Sequence, residues 1–496
     1  MESKPKWLWK NIITDKYQKH VTISTIDSTT ESEDADERIV YMEYLEKRKQ
    51  VYGICGECNE PGTGEEWCQP CNAKRFKDNF KNWTSGNKDI DEFIQQSQLN
   101  AVYYKKCLEW IPFEKFQDIT YIAEGGFGKI YSAKWPEGHI EYWDIENQKW
   151  YRRCWDKYAL KSLNNSSNIS SNFLNEIKSH LQIHLNDVVP CYGITQNPNT
   201  KEYMMVLFYC NKGNLRNYLN KSEEYIDCKK KIYKLQEIAR GLLDIHIVEK
   251  VHKDFHSGNI LESGGMFISD LGMCQPANKK PVKEEGIYGV LPYMAPEVLR
   301  GHQYTKAADI YSFGIIMNEF LSEEIPYGDT SHDEFLAVKI CKGQRPKISE
   351  DVPKLLADLI VKCWDAEIEN RPTAKELYQT LKKYYIERDN ENSELYSQLK
   401  ECNEIGKRKF ESRSSKDKSK NIQTHPQAIY TSRLLNFKNL PKPVNSSDLS
   451  SLQFNSDAKY AIQSTLANPI SECFDVQLSE SELNEICQDG ENNIES

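Results

Sequence analysis

The sequence predicts an α+β protein, and three patterns in its middle part support this fold class. Residues 203–210 are an apolar run of the length of a buried strand. Residues 260–269 are typical of a β-hairpin, because apolar residues flank Gly264-Gly265, a pair suited to a two-residue turn with positive φ. Apolar residues also repeat at helical spacing before that hairpin, at Ile232, Leu235, Ile238, Leu242 and Ile245.

Length and composition restrict the class of protein. A chain of 496 residues is too long for one ordinary core. Its net charge of −10 argues against a nucleic-acid partner, and we expect no membrane segment because the chain has no run of eighteen apolar residues. The first residues lack a signal-peptide core, so we expect the fifteen cysteines to stay reduced in the cytoplasm, with the nucleus as an alternative.

The N-terminal part is predicted to be a flexible segment followed by a small metal module. Residues 1–50 are polar and acidic and end in a short helix over 36–50. Within residues 51–85, two Cys-x-x-Cys pairs predict a structural Zn²⁺ site, with a redox pair or two disulfides as alternatives. The four cysteines are Cys55, Cys58, Cys68 and Cys71. The pattern resembles a small zinc ribbon.

Residues 86–112 are predicted to be a helical linker, and residues 113–385 the main domain. Near its start, a glycine-rich stretch precedes an apolar strand that ends in Lys161. Glycines there let backbone amides approach phosphate groups. Between the two, residues 135–157 are rich in Trp and Tyr and alternate like two strands. We expect this aromatic strip to pack on the neighbouring sheet, with a docking surface as the alternative.

Oxygen-bearing side chains flank the predicted hairpin. Asp254 can accept a proton from an attacking hydroxyl, while Asn259 and Asp270 can hold a divalent metal ion. The hairpin would bring Asn259 and Asp270 side by side. On spacing alone, a surface loop with chance carboxylates is an equal alternative.

The order of these motifs resembles eukaryotic protein kinases, in particular the tyrosine-kinase-like group in its fungal form. The resemblance implies a bilobal fold, with a small antiparallel β lobe and a large α-helical lobe. It implies Mg-ATP as phosphate donor, with Mn²⁺ as an alternative ion, and protein substrates as acceptors. The chain departs from the family pattern in having Ala123 in place of the first glycine and Lys253 in place of an arginine. It also has His256 and Val290 where serine/threonine kinases usually carry a lysine and a threonine. Serine/threonine specificity therefore rests on resemblance to the group.

The resemblance also assigns roles to residues. Asp254 would be the catalytic base, Lys161 would hold the α- and β-phosphates with Glu176 as its partner, and Asn259 and Asp270 would bind Mg²⁺. The residues implied around the nucleotide are Ile122, Gly125, Gly126, Phe127, Gly128, Ile130, Ala159, Leu207, Phe208 and Cys210.

Further downstream, the resemblance implies a buried ion pair between Glu297 and Arg371. It also implies that Asp309 supports the catalytic loop, residues 252–259. Thr373 and Glu376 predict a capping box. The segment from Met273 to Glu297 contains no serine or threonine. We therefore predict activity without phosphorylation of that loop, with Glu284 and Glu285 supplying negative charge near Lys253.

Residues 386–496 are predicted to be a mostly disordered tail, although residues 433–437 could fold back onto the domain or bind a partner. The sequence thus favours an intracellular signalling kinase. Alternatives are a tyrosine or dual-specificity kinase, and a pseudokinase scaffold whose zinc module or tail binds another protein. A zinc-dependent nucleic-acid binder is a third alternative, weakened by the acidic composition.

Overall fold

The computed structural model describes residues 8–13, 16–23, 38–125, 128–163, 171–183, 187–222, 224–277, 287–416 and 424–445. All of them lie in one unit that spans residues 1–449. The helices are α1 (Leu45–Tyr52), α2 (Gln69–Asn79), α3 (Lys88–Asn100), α4 (Ser171–Gln182), α5 (Leu215–Lys221), α6 (Cys228–Ile247), α7 (Pro296–Leu299), α8 (Lys306–Ser322), α9 (Glu334–Cys341), α10 (Lys354–Cys363), α11 (Ala374–Glu387) and α12 (Glu394–Lys416). The strands are β1 (Glu109–Trp110), β2 (Gln117–Gly125), β3 (Gly128–Lys134), β4 (His139–Asp144), β5 (Lys149–Arg153), β6 (Tyr158–Leu163), β7 (Cys191–Gln196), β8 (Tyr203–Phe208), β9 (Lys250–Val251), β10 (Ile260–Glu262), β11 (Met266–Ile268), β12 (Gln275–Pro276), β13 (Ile287–Gly289) and β14 (Arg433–Leu435).

A six-stranded sheet forms the small lobe, in the order β1-β7-β8-β6-β3-β2. All its neighbours are antiparallel except β1, which runs parallel to β7. Helix α4 covers one face through Phe173 and Ile177, both fully buried. The predicted α+β class and its strand-rich lobe are confirmed.

The predicted linker over 86–112 belongs to the same core. Ile90 and Ile94 of α3 are fully buried in the same hydrophobic cluster as Phe173 and Ile177 of α4. The helix also ends at Asn100, and the chain then contributes β1 to the sheet. The apolar face of α3, which we predicted to belong to a linker, therefore packs in the core of the small lobe.

Residues 135–157 form the two predicted strands, β4 and β5, which pair with each other. We expected their aromatic strip to pack on the small lobe. Part of the strip instead contacts the Cys module, which is the segment over residues 51–85 with the four paired cysteines. The Trp150 ring stacks 4.8 Å from Phe76 and 5.9 Å from Trp67. The Arg75 guanidinium lies over Trp143, 4.3 Å from the ring centroid.

The N-terminal segment is more ordered than predicted. Among the described parts, Val21 and Val40 are fully buried, and the Val21 amide donates to the Thr63 carbonyl at 2.9 Å. Arg38 donates to Asp244 of α6 at 3.1 Å in a buried ion pair. Helix α1 begins at residue 45 and not at 36. Backbone pairing and the buried ion pair of Arg38 with Asp244 thus order the described parts of this segment despite its polar composition. Residues 24–37 lie outside the described parts.

The large lobe is built on α6 and α8. The helical apolar repeat of α6 is buried as predicted, and α8 is buried along nearly its whole length. Gly314 allows α8 to approach α10 closely, because a Cβ there would lie 2.7 Å from the Cys363 Cβ. The capping box of Thr373 and Glu376 at the start of α11 is confirmed. None of the helices in the described residues is long and apolar enough to cross a membrane.

The hairpin of β10 and β11 forms, but its turn is one residue longer than predicted. Glu262 pairs with Met266, which leaves Ser263, Gly264 and Gly265 in the turn. Positive φ is needed only at Gly264, where it is +74°.

The C-terminal region between 386 and 445 also differs from the predicted disorder. Leu395 and Leu399, one helical turn apart, are buried from α12 into the large lobe. Residues 424–445 pack on the same lobe, with Leu435 and Leu440 buried. A few apolar residues at the right spacing suffice to anchor this polar sequence. Residues 417–423 and 446–496 lie outside the described parts.

Candidate active site

Lys161 and Glu176 meet beneath the sheet. Lys161 is on β6, between β3 and β8, and its Nζ lies 2.8 Å from Glu176 Oε1 on α4. The same Nζ lies 3.1 Å from Asp270 Oδ1. Burial lowers the pKa of Lys161, but the Asp270 and Glu176 carboxylates outweigh it and raise that pKa above its usual value. Lys161 therefore stays charged at physiological pH.

The glycine-rich stretch is the connection between β2 and β3. Gly125 pairs with Gly128 across it, and Ile122 is exposed while Ile130 is half-buried. Gly126 and Phe127 lie outside the described residues. Backbone amides at this tight end of the hairpin can approach a ligand closely.

The residues assigned to the adenine side lie on the central strands. Ala159 of β6 pairs with Leu207 of β8, and both Leu207 and Cys210 are buried. Phe208 is half-buried and contacts the Phe267 ring at 5.3 Å. The structure thus brings these residues together at the end of β8, on the strand adjacent to Lys161.

Asp309 holds the catalytic loop, as predicted. Its two carboxylate oxygens accept from the His252 and Lys253 amides at 2.8 and 3.1 Å. Lys253 adopts φ +70°, which places it in the left-handed region. Its Nζ lies 3.3 Å from Gln275 Oε1 and over the Tyr304 ring.

The hairpin brings Asn259 and Asp270 to its open end. The Ser269 amide donates to the Asn259 carbonyl at 2.8 Å, directly before Asp270. Asn259 Nδ2 donates to the Asp254 carbonyl at 2.9 Å. Because the amide nitrogen is engaged there, the amide oxygen of Asn259 is its atom suited to a metal ion. Asp270 has φ +59°, a strained conformation that turns the chain at this point.

The Asp254 carboxylate is buried and accepts several hydrogen bonds. Ser432 Oγ donates to it, 2.7 Å from Oδ1 and 2.5 Å from Oδ2. His256 Nδ1 accepts from the Gly258 amide at 3.1 Å, so His256 Nε2 carries the proton and faces Asp254 Oδ2 at 3.6 Å. Burial raises the pKa of Asp254, but His256 and Ser432 outweigh it and hold that pKa below its usual value. Asp254 is thus an ionised acceptor at neutral pH.

A buried polar cluster fixes the end of the activation segment, which is the segment from Met273 to Glu297. Tyr293 Oη donates to Glu319 Oε2 at 2.6 Å, while Ser257 and Arg216 contact the same two residues. The predicted pair of Glu297 and Arg371 forms through two hydrogen bonds of 2.7 and 2.9 Å. Glu284 and Glu285, expected near Lys253, lie outside the described residues.

The four cysteines of the N-terminal module converge. The Sγ atoms of Cys55, Cys58, Cys68 and Cys71 all lie within 4.8 Å of one another. They come from the turn after α1 and from the start of α2. Four thiols at this spacing match the ligand set of a tetrahedral structural zinc site.

Two features of the site were not found from sequence. Ser432 lies 178 residues from Asp254, and the only signal was the apolar run after it, which suggested that the tail could fold back. Lys106 donates to the Ile183 carbonyl at 2.6 Å, just beyond the end of α4. Two adjacent lysines, Lys105 and Lys106, give no signal that one of them makes such a contact.

Comparison with known proteins agrees with this geometry. A profile of the family "Protein tyrosine and serine/threonine kinase" matches residues 116–381, more than half of the chain. The chain is 31% identical over 186 residues to the Arabidopsis thaliana serine/threonine/tyrosine-protein kinase HT1, across 37% of this chain and 47% of that protein. It is 28% identical over 206 residues to the RGS domain-containing serine/threonine-protein kinase A of Dictyostelium discoideum, across 40% of this chain and 18% of that protein.

A protein of Acanthamoeba polyphaga mimivirus named as a serine/threonine-protein kinase/receptor is 30% identical over 283 residues, across 55% of this chain. The chain spans only 16% of that protein's length, and less than half of each of the other two. The similarity is thus confined to a part of each relative. The chain belongs to the family of protein tyrosine and serine/threonine kinases, and residues 116–381 are its kinase domain.

Proposed function

We propose that the chain transfers the γ-phosphate of ATP to a serine or threonine hydroxyl of a protein. The observation that carries this proposal is the contact of Lys161 with both Glu176 and Asp270. Asn259, at the same end of the hairpin as Asp270, contacts the Asp254 carboxylate. The names of the relatives support serine and threonine as acceptors. The segments over 254–259 and 288–297 favour placement in the tyrosine-kinase-like group.

Each charged residue then has a task in the transfer. The Lys161 ammonium holds the α- and β-phosphates, and Glu176 fixes its position. Asp254 orients the acceptor hydroxyl and takes its proton as the oxygen attacks the γ-phosphorus. The bond from that phosphorus to the bridging oxygen breaks, and the electron pair leaves with ADP. An ionised, hydrogen-bonded Asp254 suits this task.

We propose that Asn259 and Asp270 hold Mg²⁺. An amide oxygen and a carboxylate at the open end of one hairpin are the hard ligands that this ion prefers, so the residues present fit it. When bound, the ion neutralises the charge that develops on the phosphates. Mn²⁺ fits the same ligands.

The remaining nucleotide contacts are proposed from position. Gly125, Gly126 and Gly128 would cover the phosphates, with Ile122, Phe127 and Ile130 beside them. Ala159 and Leu207 would line the adenine pocket, and the backbone from Phe208 to Cys210 would bond the adenine edge. The buried positions of Leu207 and Cys210 on β8 and after it support this assignment.

We also propose a structural Zn²⁺ held by Cys55, Cys58, Cys68 and Cys71. Their convergence supports a site closed by four thiolates, which stabilises a fold and does not take part in catalysis. The module packs on the β4–β5 hairpin, so its metal would stabilise the small lobe.

Phosphate transfer from labelled ATP to mixed serine, threonine and tyrosine peptides tests the kinase proposal. We expect transfer to serine or threonine that falls by about a hundredfold or more in Asp270→Asn, because the charge-neutralising ion is no longer held. Thermal unfolding shows whether the variant remains folded. A folded wild-type protein that binds ATP but transfers no phosphate would instead favour the pseudokinase scaffold, and transfer to tyrosine alone would refute the proposed acceptor class.

A further inference from the structure

The C-terminal segment over residues 424–445 reaches the catalytic loop and presents a hydroxyl to Asp254. Ser432 Oγ lies 2.7 and 2.5 Å from the two carboxylate oxygens of Asp254, and 3.5 Å from His256 Nε2. An acceptor hydroxyl must lie within hydrogen-bond reach of its base, and these distances meet that requirement. No other hydroxyl contact to Asp254 occurs in the described residues.

The backbone around Ser432 is held as an added strand. β14, which begins directly after Ser432, pairs antiparallel with β13 of the activation segment, with Tyr288 opposite Leu434. Tyr288 Oη also donates to the Ser432 carbonyl at 3.1 Å. Strand addition is a common way for proteins to recognise an extended peptide independently of most of its side chains.

Side chains on both sides of Ser432 fix its register. Tyr430 Oη donates to the Pro326 carbonyl at 2.9 Å, and the Arg216 guanidinium lies 4.1 Å from the centroid of its ring. On the other side, Leu435 is only 5% exposed and packs into the large-lobe core. Because both flanks are anchored, the Ser432 hydroxyl cannot slide away from Asp254 without breaking these contacts.

Contacts further along hold the rest of the segment. The Val444 amide donates to the Cys341 carbonyl at 3.0 Å, and Asn445 contacts Ala366 and Asp365 at 2.9 and 3.0 Å. At its other end, the His425 amide donates to the Gly328 carbonyl at 2.7 Å. The segment is thus held to the large lobe at both of its ends.

We propose that Ser432 is this kinase's own phosphate acceptor and that it reacts within the same molecule. The inference rests on the proposed function and deepens it, since it names serine as an acceptor. Ser432 Oγ attacks the γ-phosphorus of ATP, Asp254 takes the hydroxyl proton, and the bond to the bridging oxygen breaks with its electron pair on ADP. Phosphoserine 432 and ADP are the products. The activation segment offers no serine or threonine for this purpose.

The same contacts make the segment a reversible block of the cleft. While Ser432 is unmodified, both oxygens of Asp254 are engaged, and another protein's hydroxyl cannot reach them. A phosphate on Ser432 adds about −1.5 to −2 charges beside the Asp254 carboxylate. Repulsion then expels the segment and opens the cleft to other substrates.

Time courses with the dephosphorylated full-length chain test the inference. Mass spectrometry follows phosphate on Ser432, and a parallel assay follows phosphate on dephosphorylated casein. We expect a rate constant for Ser432 that is unchanged over about a hundredfold dilution, because an attached segment keeps its own effective concentration. Casein should show a lag that ends as Ser432 is modified.

Four variants of the full chain separate the outcomes. Thr431→Ala, which removes the exposed neighbouring hydroxyl, should behave as wild type. Ser432→Ala should keep the cleft blocked and lower the rate on casein by about tenfold, given millimolar effective concentrations of the segment. Ser432→Asp and Leu435→Asp should remove the lag, the latter by preventing docking, with thermal unfolding as a check on the fold.

The results separate this inference from the function on which it rests. Casein phosphorylation by a chain that leaves Ser432 unmodified would overturn the inference alone. A Ser432 rate that rises in proportion to enzyme concentration would do the same, since it would show reaction between molecules. Failure of wild type, Ser432→Asp and Leu435→Asp to modify any acceptor would overturn the proposed function, and the inference with it.

Discussion

Single residues at the site are held by buried charge pairs. Lys161 contacts two carboxylates, Asp309 accepts from two backbone amides, and Arg371 makes two hydrogen bonds to Glu297. A buried charge that loses its partner costs far more than an exposed one, because no water replaces the lost bonds. These residues therefore set the geometry of the catalytic loop and activation segment, and substituting any one of them should destabilise the fold.

Arg371→Lys tests how much the two hydrogen bonds between Arg371 and Glu297 contribute to stability. Lysine keeps the charge but cannot make both bonds to Glu297 while also donating to the Ala307 and Asp365 carbonyls, which Arg371 does. We expect a loss of about 2–4 kcal/mol in the free energy of unfolding, measured by urea denaturation.

The matched control is Lys383→Met. Lys383 lies 3.9 Å from Glu387 in a pair exposed on α11. Its removal should cost at most about 0.5 kcal/mol. An Arg371→Lys variant as stable as this control would contradict the importance of the two-bond geometry.

His256 shows how one substitution changes the local chemistry. Serine/threonine kinases usually carry a lysine at this position, whereas here an imidazole N–H faces Asp254 and lies near Ser432. The Gly258 amide fixes the ring by donating to its other nitrogen. His256 is therefore placed to position the base and the acceptor hydroxyl together.

At the scale of elements, segments outside the family domain support the small lobe. Lys106 donates to the carbonyls of Leu181 and Ile183 at 2.5 and 2.6 Å, at the C-terminal end of α4. Glu176 lies on this helix. The N-terminal region thus contacts the helix that carries the partner of Lys161.

The Cys module supports the same lobe through aromatic stacking. Trp150 on β5 lies against Phe76 of α2 and against Trp67, which is fully buried. Such ring pairs add about 0.5–1.5 kcal/mol each beyond the area that they bury. Folding of the module and order in the β4–β5 hairpin should therefore depend on each other.

Removal of one proposed zinc ligand tests the module. We expect about one zinc per wild-type chain by elemental analysis, and loss of the metal in Cys68→Ser, because a four-thiolate site rarely keeps zinc without one ligand. The thermal midpoint should fall with the metal, since binding to the folded state adds to stability.

Cys154→Ser is the control for that experiment. Cys154 is exposed and lies outside the cluster, on the chain just after β5. It should keep both the zinc content and the thermal midpoint. Wild-type protein without zinc after purification free of chelators would refute the metal site.

At the scale of the whole molecule, buried histidines make stability depend on pH. Burial lowers the pKa of His20, His139 and His180 to about 3 in each case. The unfolded chain binds protons at these groups below pH 6.5 or so, whereas the folded chain does not. Their contribution is therefore fully present above that pH and is lost as the pH falls toward 3.

His180→Gln should make the pH dependence shallower. Glutamine can still donate to the Val189 carbonyl, which His180 contacts at 3.0 Å, but it does not titrate. Between pH 6 and 4, the slope of unfolding free energy against pH should decrease by about 1.4 kcal/mol per pH unit.

Urea denaturation across this pH range measures the slope. The exposed His302 supplies the control, since His302→Gln should leave the slope as in wild type. Equal slopes in His180→Gln and wild type would show that His180 takes up a proton in the folded chain.

The candidate site residues, the paired cysteines and several strands could be predicted from the sequence alone. In the family pattern a glycine-rich turn, a lysine, a base and metal ligands follow one another, and residues of these types occur in that order between 122 and 270. The paired cysteines and the strands over 139–153 carry equally local signals. In each case neighbouring residues in the chain carry the information.

Other features depended on the tertiary structure. The docking of Ser432 on Asp254, the stacking of Trp150 on Phe76 and the ion pair of Arg38 with Asp244 each join distant parts of the chain. Shape complementarity and the satisfaction of buried polar groups select such contacts, and neither leaves a periodic pattern in the sequence. The tail sequence is polar enough to resemble disorder, and only the lobe that it contacts gives its few apolar side chains a place to be buried.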